Sequence, residues 1–269
     1  MVEALLRLGA GTKADGRDEL NALAHTATRS GYAGCTLAFI AAGFDFQDRG
    51  YGGQTILHEA LSCKTSRGRF ETARYILGQE GGRSIVNSKD LCGSGPIHYL
   101  VANSQSSNSH RLEMVKLLLL CGADIQAKNY SGYTPAHILA GSDDIDSMGE
   151  LIRAGFDINT KSPDGVTALH RAACCQAKMV KYLLELEGGR LSINARNAHG
   201  KTPLHLAVEI DYEKVVKLLL RNGADTDIED EQGETPSLIA YRRRDEHVVK
   251  AFIDAGVNLS LGDMPRMRP

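Results

Sequence analysis

Tryptophan is absent from the 269 residues, aromatic side chains make up only 6% of them, and proline occurs seven times. One large aromatic-rich core is therefore disfavoured, while the 28 glycines suit many small units separated by turns. No apolar run approaches the roughly 18 residues needed to cross a bilayer, and the opening MVEALLRLGAG has neither the basic region nor the apolar stretch of a secretory signal. Excess charge is also missing: 31 Lys and Arg face 33 Asp and Glu, a net charge of −2. The usual electrostatic case for nucleic acid or an anionic membrane is removed. The six cysteines (Cys35, Cys63, Cys92, Cys121, Cys174, Cys175) form no C-x-x-C pair, so reduced thiols in a cytoplasmic or nuclear protein are expected. On that expectation the sequons at Asn129 and Asn258 are chance matches. What remains is ordinary globular composition, 42% hydrophobic and 24% charged, enough to bury a core.

Self-comparison finds a repeat. The tetrad Thr202-Pro203-Leu204-His205 recurs as Thr55-Ile56-Leu57-His58, Gly95-Pro96-Ile97-His98, Thr134-Pro135-Ala136-His137, Thr167-Ala168-Leu169-His170 and Thr235-Pro236-Ser237-Leu238, with a weaker copy at Ala22-Leu23-Ala24-His25. Starts at 22, 55, 95, 134, 167, 202 and 235 are separated by 33, 40, 39, 33, 35 and 33 residues. A second marker, the Gly that closes each unit's second apolar segment, follows the tetrad by 18 residues in five units, whereas Gly81 and Gly122 follow by 23 and 24. Two adjacent units therefore carry insertions.

Each tetrad is expected to start a helix. Thr caps the orphan N–H groups, and Pro96, Pro135, Pro203 and Pro236 occupy the first helical position, where a missing N–H costs nothing. Spacing such as Val216, Leu219, Leu220 marks a second helix, and Gly223 or its equivalent stops it in left-handed geometry. With these residues in view, the chain resembles the ankyrin-repeat family, whose 33-residue unit carries T-P-L-H-x-A; VVKLLLRNGAD from Val215 and DTDIEDEQGET from Asp225 match it closely. The resemblance covers essentially the whole chain. It implies an all-α solenoid of stacked helix pairs with projecting hairpin-like loops and a concave groove for other proteins. The expected organisation is a partial repeat over 1–21, an array over 22–260 and a frayed tail over 261–269. VEALLRLG from Val2 resembles a second helix without its first, as a chain beginning mid-repeat would show.

Several motifs mimic other chemistries. Ala195 to Thr202 fits a relaxed phosphate loop, but Gly-x-Thr recurs at Gly53, Gly132, Gly165 and Gly233 with Gln54, Tyr133, Val166 and Glu234 in place of Lys201, so a repeat turn explains it better. Gly9 to Ala14 resembles a dinucleotide fingerprint without its strand, and His58-Glu59 lacks a second His four residues on. Of nine histidines, six (His25, His58, His98, His137, His170, His205) hold one repeat position. A structural ladder of imidazoles bonding backbone suits them better than a metal or a catalytic site. No cofactor, metal or nucleophile–base–acid set is indicated. Cys174 and Cys175 align with Glu209-Ile210, where packing or partner contact is expected.

Two features are particular to this chain. Four residues before each finger Gly stand Arg49, Lys89, Lys128, Lys161, Arg196 and then Glu229. Solvated loop charge is the plain explanation; the alternative is a cationic row reading an acidic partner segment, with Tyr51, Tyr130 and Tyr133 as anchors. The last finger is acidic, and Arg242, Arg243 and Arg244 lie nearby to neutralise it. The insertions, Ser62 to Arg69 and Asn103 to Arg111, are polar and expected as exposed loops, either tolerated drift or a lip on the groove. Two functions stay open: a monomeric, non-catalytic scaffold or adaptor that binds a protein or peptide, or the regulatory ankyrin segment of a longer enzyme or signalling protein.

Overall fold

A computed structural model describes residues 14–41, 43–62, 66–103 and 107–257. The segments 1–13 and 258–269 lie outside it, and with them most of the expected N-terminal half-repeat and the expected tail. Among the described residues the chain is helical with no strand. It divides into two compact units, Met1–Pro135 with Gly149–Phe156, and Ala136–Met148 with Asp157–Pro269.

In the first unit α1 (Ala14–Arg29) and α2 (Ala33–Ala41) precede α3 (Ile56–Ser62), α4 (Ser66–Gly78), a short α5 (Glu80–Ser84), α6 (Pro96–Ala102) and α7 (Asn108–Leu120). Next come α8 (Pro135–Leu139) and α9 (Ile145–Arg153). The second unit continues with α10 (Ala168–Ala173), α11 (Ala177–Glu185), a 3-10 turn (Gly189–Ser192), α12 (Pro203–Glu209), α13 (Glu213–Arg221), α14 (Pro236–Arg243) and α15 (Glu246–Asp254). The helix pairs bury one apolar face each: Leu57, Leu61, Ile76, Ile97, Leu100, Val115 and Leu118 in the first unit, and Leu169, Val180, Leu204, Val216, Leu219 and Phe252 in the second, are nearly or fully buried.

Six tetrads start a helix one residue after their first member. The Thr202 hydroxyl accepts the His205 N–H, and Thr235 does the same for Leu238. Replacing Thr202 by Ala is expected to cost roughly 1 kcal/mol, the usual worth of such a cap, read from urea unfolding at pH 7. An unchanged midpoint would show that Pro203 suffices. The seventh tetrad behaves otherwise: Ala22 lies inside α1, not at a helix start, and α1 runs through the expected boundary at 21/22. Neither a capping hydroxyl nor a proline interrupts ELNALAH, so the preceding turn simply continues.

The insertions also differ from expectation. Residues 63–65 and 104–106 lie outside the description, but α4 begins at Ser66 and α7 at Asn108. Each is 13 residues long against nine in α9, α11, α13 and α15. About one helical turn of each insertion is thus absorbed into the second helix. Asn103 Nδ2 donates to the carbonyls of Leu61 and Ser62 at the end of α3, and Arg111, nearly buried, donates to the Asn103 carbonyl. These polar residues satisfy helix-end carbonyls. The stop at Gly81 is corrected too. That residue sits inside α5, and the break after α4 is made by Gln79 in extended conformation. Gly122, Gly155, Gly188, Gly223 and Gly256 do adopt the left-handed backbone.

Candidate functional site

Between the helix pairs the chain makes a one-rung finger. In the first unit the N–H groups of Gly50, Asp90 and Asn129 donate to the carbonyls of Gln54, Ser94 and Tyr133; in the second those of Ser162, Asn197 and Asp230 donate to Val166, Lys201 and Glu234. Each turn closes on a glycine whose φ lies between 71° and 76° (Gly53, Gly93, Gly132, Gly165, Gly200, Gly233), a conformation costly for a residue with a Cβ. The first turn residue adds a side-chain acceptor that sequence reasoning overlooked. Asp90 Oδ1 takes the N–H groups of Cys92 and Ser94, Asn197 Oδ1 those of His199 and Lys201, and Asp230 Oδ1 those of Gln232 and Glu234. The signal was present as Asp, Asn, Ser, Asn, Asp three residues before the finger glycine, a position that favours side chains able to bond their own turn.

The histidines tie these fingers to the core. His58 Nδ1 accepts the Thr55 N–H at 3.1 Å, and Nε2 donates to the Ser94 carbonyl at 3.0 Å, the same oxygen that closes the next finger. His98 reaches the Ala127 and Tyr133 carbonyls, His137 those of Thr160 and Val166, His170 that of Lys201 and His205 that of Glu234. The Nε2–H tautomer follows from this pattern, since Nδ1 faces a backbone donor. Burial depresses the basicity of all five rings that show a shift, His25, His58, His98, His170 and His205, and holds His58 and His170 at about 4. His25 departs from the ladder. With Ala22 in the Thr position, no Thr hydroxyl meets Nδ1, which stands 4.0 Å from the buried Glu59 carboxylate. That carboxylate is held by the Arg29 guanidinium.

Arg49, Lys89 and Lys128 are exposed on the first unit's fingers. Two of them bridge outward along the stack: Arg49 Nη1 donates to the Lys89 carbonyl at 3.3 Å, and Lys89 Nζ to the Lys128 carbonyl at 3.3 Å. Lys161 and Arg196 belong to the second unit, where Arg196 Nη2 donates to the Glu229 carbonyl at 3.0 Å. Tyr51 and Tyr130 stand out at finger tips with relative exposures of 103% and 78%. Tyr133 does not join them; it lies half-buried at the finger base, one residue before the next tetrad. The tip between the two tyrosines is Leu91, 70% exposed, a residue that neither charge nor aromaticity marks in the sequence.

The side chains of the described imitating motifs have other partners, while Gly9 to Lys13 of the dinucleotide look-alike lie outside the described residues. The Lys201 ammonium of the phosphate-loop look-alike pairs with Glu209, and Thr202 caps its own helix. Burial and the adjacent Cys175 push the Cys174 thiol up, away from thiolate. Among the described residues no group of three His, Cys, Asp or Glu is placed to hold a metal, and no helix is long and apolar enough to cross a membrane. Arg242 pairs with Glu234 of the acidic finger, and Arg243 with Asp211.

Comparison with known proteins agrees with this geometry. A family model described as ankyrin repeats (3 copies) matches residues 97–197, 140–230 and 186–263. The chain is 28% identical over 247 residues to the E3 ubiquitin-protein ligase KEG of Arabidopsis thaliana, covering 89% of itself and 15% of that protein. It is 30% identical over 232 residues to the transient receptor potential cation channel subfamily A member 1 of Drosophila melanogaster, covering 81% of itself and 18% of the channel. With the mouse B-cell lymphoma 3 protein homolog it shares 27% over 184 residues, 66% of itself and 40% of that protein. The chain thus spans between 15% and 40% of the length of these curated relatives.

Proposed function

Since the chain belongs to the ankyrin-repeat family, a typically non-catalytic one whose repeats mediate protein–protein interaction, we propose that it is a binding scaffold or adaptor with no chemistry of its own. One observation carries this reading: the same buried imidazole bond fixes finger after finger from His58 to His205, while the finger tips it supports, Tyr51, Leu91, Tyr130, Pro163, Ala198 and Glu231, differ from one another and are exposed. A catalytic site has no use for such duplication, whereas a recognition surface does. Arg49, Tyr51, Lys89, Lys128, Tyr130, Tyr133, Lys161 and Arg196 are the proposed partner-facing set, with the six histidines as structural supports. The small share of each relative that the chain spans favours a second reading, in which this is the regulatory ankyrin segment of a longer protein.

The test is affinity capture on the immobilised full chain, with heat-unfolded chain as control. A partner protein recovered in stoichiometric amount by the folded chain alone is expected. Recovery of nothing beyond the control would overturn the reading. With that partner, reversing Lys89, Lys128 and Lys161 to Glu is expected to slow association severalfold and flatten its salt dependence, because exposed charges steer more than they hold. Indifference to the triple change would leave the cations as solubilising groups.

A further inference from the structure

The first unit's three described finger tips carry large apolar side chains, Tyr51, Leu91 and Tyr130, at one structural position. The corresponding second-unit tips are Pro163, Ala198 and Glu231. These three tips adjoin one another in order. The Leu91 N–H donates to the Gly52 carbonyl at 3.0 Å, and the Tyr130 N–H to the Cys92 carbonyl at 2.9 Å. The Leu91 and Tyr130 side chains lean back over the preceding finger: a Cβ built on Gly53 would lie 3.0 Å from Leu91 Cγ, and one on Gly93 only 2.6 Å from Tyr130 Cδ1. An apolar stripe of one exposed side chain per finger therefore runs along the tips, where single exposed apolar residues would need no explanation but an ordered row does. Two residues before each tip stands an exposed cation, Arg49, Lys89 or Lys128, so a positive row flanks the stripe.

We propose that the stripe of Tyr51, Leu91 and Tyr130 docks a proline-rich acidic segment of a partner protein, held as a polyproline II helix. The proposal rests on the binding-scaffold reading above and names the partner's chemistry. Stacked helix pairs repeat at about 8 to 10 Å. A polyproline II helix returns to the same face every three residues, about 9 Å along its axis. A β-strand returns every two residues, at about 6.6 Å, and misses the second tip by roughly 1.4 to 3.4 Å. The matched segment sets an apolar or prolyl side chain on each tip and a carboxylate on each flanking cation, in three-residue units. The preformed, entropically inexpensive polyproline helix suits a shallow row that offers few hydrogen bonds.

Fluorescence anisotropy with a labelled peptide of five Pro-Leu-Glu units tests this on the full chain. Saturable binding is expected, weakened at least tenfold in the triple variant Tyr51→Ser, Leu91→Ser, Tyr130→Ser at unchanged thermal midpoint. The same peptide with Lys for Glu, and one of Gly-Ser-Glu units, should bind at least tenfold more weakly. If the triple variant loses stability, Tyr51→Ser alone, whose side chain is fully exposed, should still weaken binding severalfold. No binding of the Pro-Leu-Glu peptide, or equal binding by the variants or of the Lys peptide, overturns the proposal. Self-association in sedimentation that the triple variant abolishes overturns it as well, by assigning the stripe to a second copy. If the captured partner binds the triple variant undiminished, this inference falls and the scaffold reading stands; if no partner is captured, that reading falls.

Discussion

Lowering the pH from 7 to 4 is expected to remove on the order of 3 kcal/mol of stability for each of His58 and His170. Burial is the main cause, holding both at about 4 against an ordinary 6.5. Protonation of the folded ring also places an N–H on Nδ1, directly opposite the backbone N–H of Thr55 or Thr167. Because the folded value is the lower one, the unfolded chain binds the proton first. The stabilisation is complete above about 6.5 and disappears as the pH falls toward 4. Two such groups together rival the stability of a whole domain. Urea midpoints measured every half pH unit should therefore fall steeply across this window, and His170→Gln should remove part of the slope while lowering stability at pH 7. A midpoint that is flat from pH 7 to 4.5 would refute the buried neutral ladder.

Gly82→Ala and Gly189→Ala are expected to cost roughly 2 to 3 kcal/mol each, the upper part of the range for forced overpacking. A Cβ on Gly82 would lie 1.7 Å from the Ile76 carbonyl oxygen, and one on Gly189 1.8 Å from that of Leu183. Both obstacles are backbone, so no side-chain rotation relieves them. Each glycine follows one that the repeat pattern already assigns to a helix stop, Gly81 or Gly188, which hid its separate purpose. Thermal unfolding of the two variants checks the expectation, and the neighbouring Gly78→Ala, with open space around its Cβ, should be nearly silent.

Much of the architecture was legible because periodicity multiplies weak signals. Thr167, Thr202 and Thr235 announced their caps, Pro96, Pro203 and Pro236 their helix starts, and the tetrad histidines their common position. The tetrad at Ala22 misled because similarity of letters survived the loss of the groups that stop a helix, Thr and Pro. The insertions misled for the converse reason. Ser and Asn suggest loops on composition, yet helix α7 continues through Asn108 to Arg111 once Arg111 is buried against Asn103. Leu91 was not legible as a site residue at all. A leucine in a loop is unremarkable until adjacent fingers set it between Tyr51 and Tyr130, a neighbourhood that only the interfinger hydrogen bonds create.

The absence of tryptophan provides the most direct test of the proposed docking stripe. Tyr130→Trp puts a single indole at the proposed stripe, and Ala198→Trp puts one at the corresponding tip of the second unit. Titration with the Pro-Leu-Glu peptide should shift the emission of the first to shorter wavelength, saturably, and leave the second unchanged. An unshifted Trp at position 130 under conditions where anisotropy shows the peptide bound, or equal shifts at both positions, would contradict recognition by the first unit's finger tips.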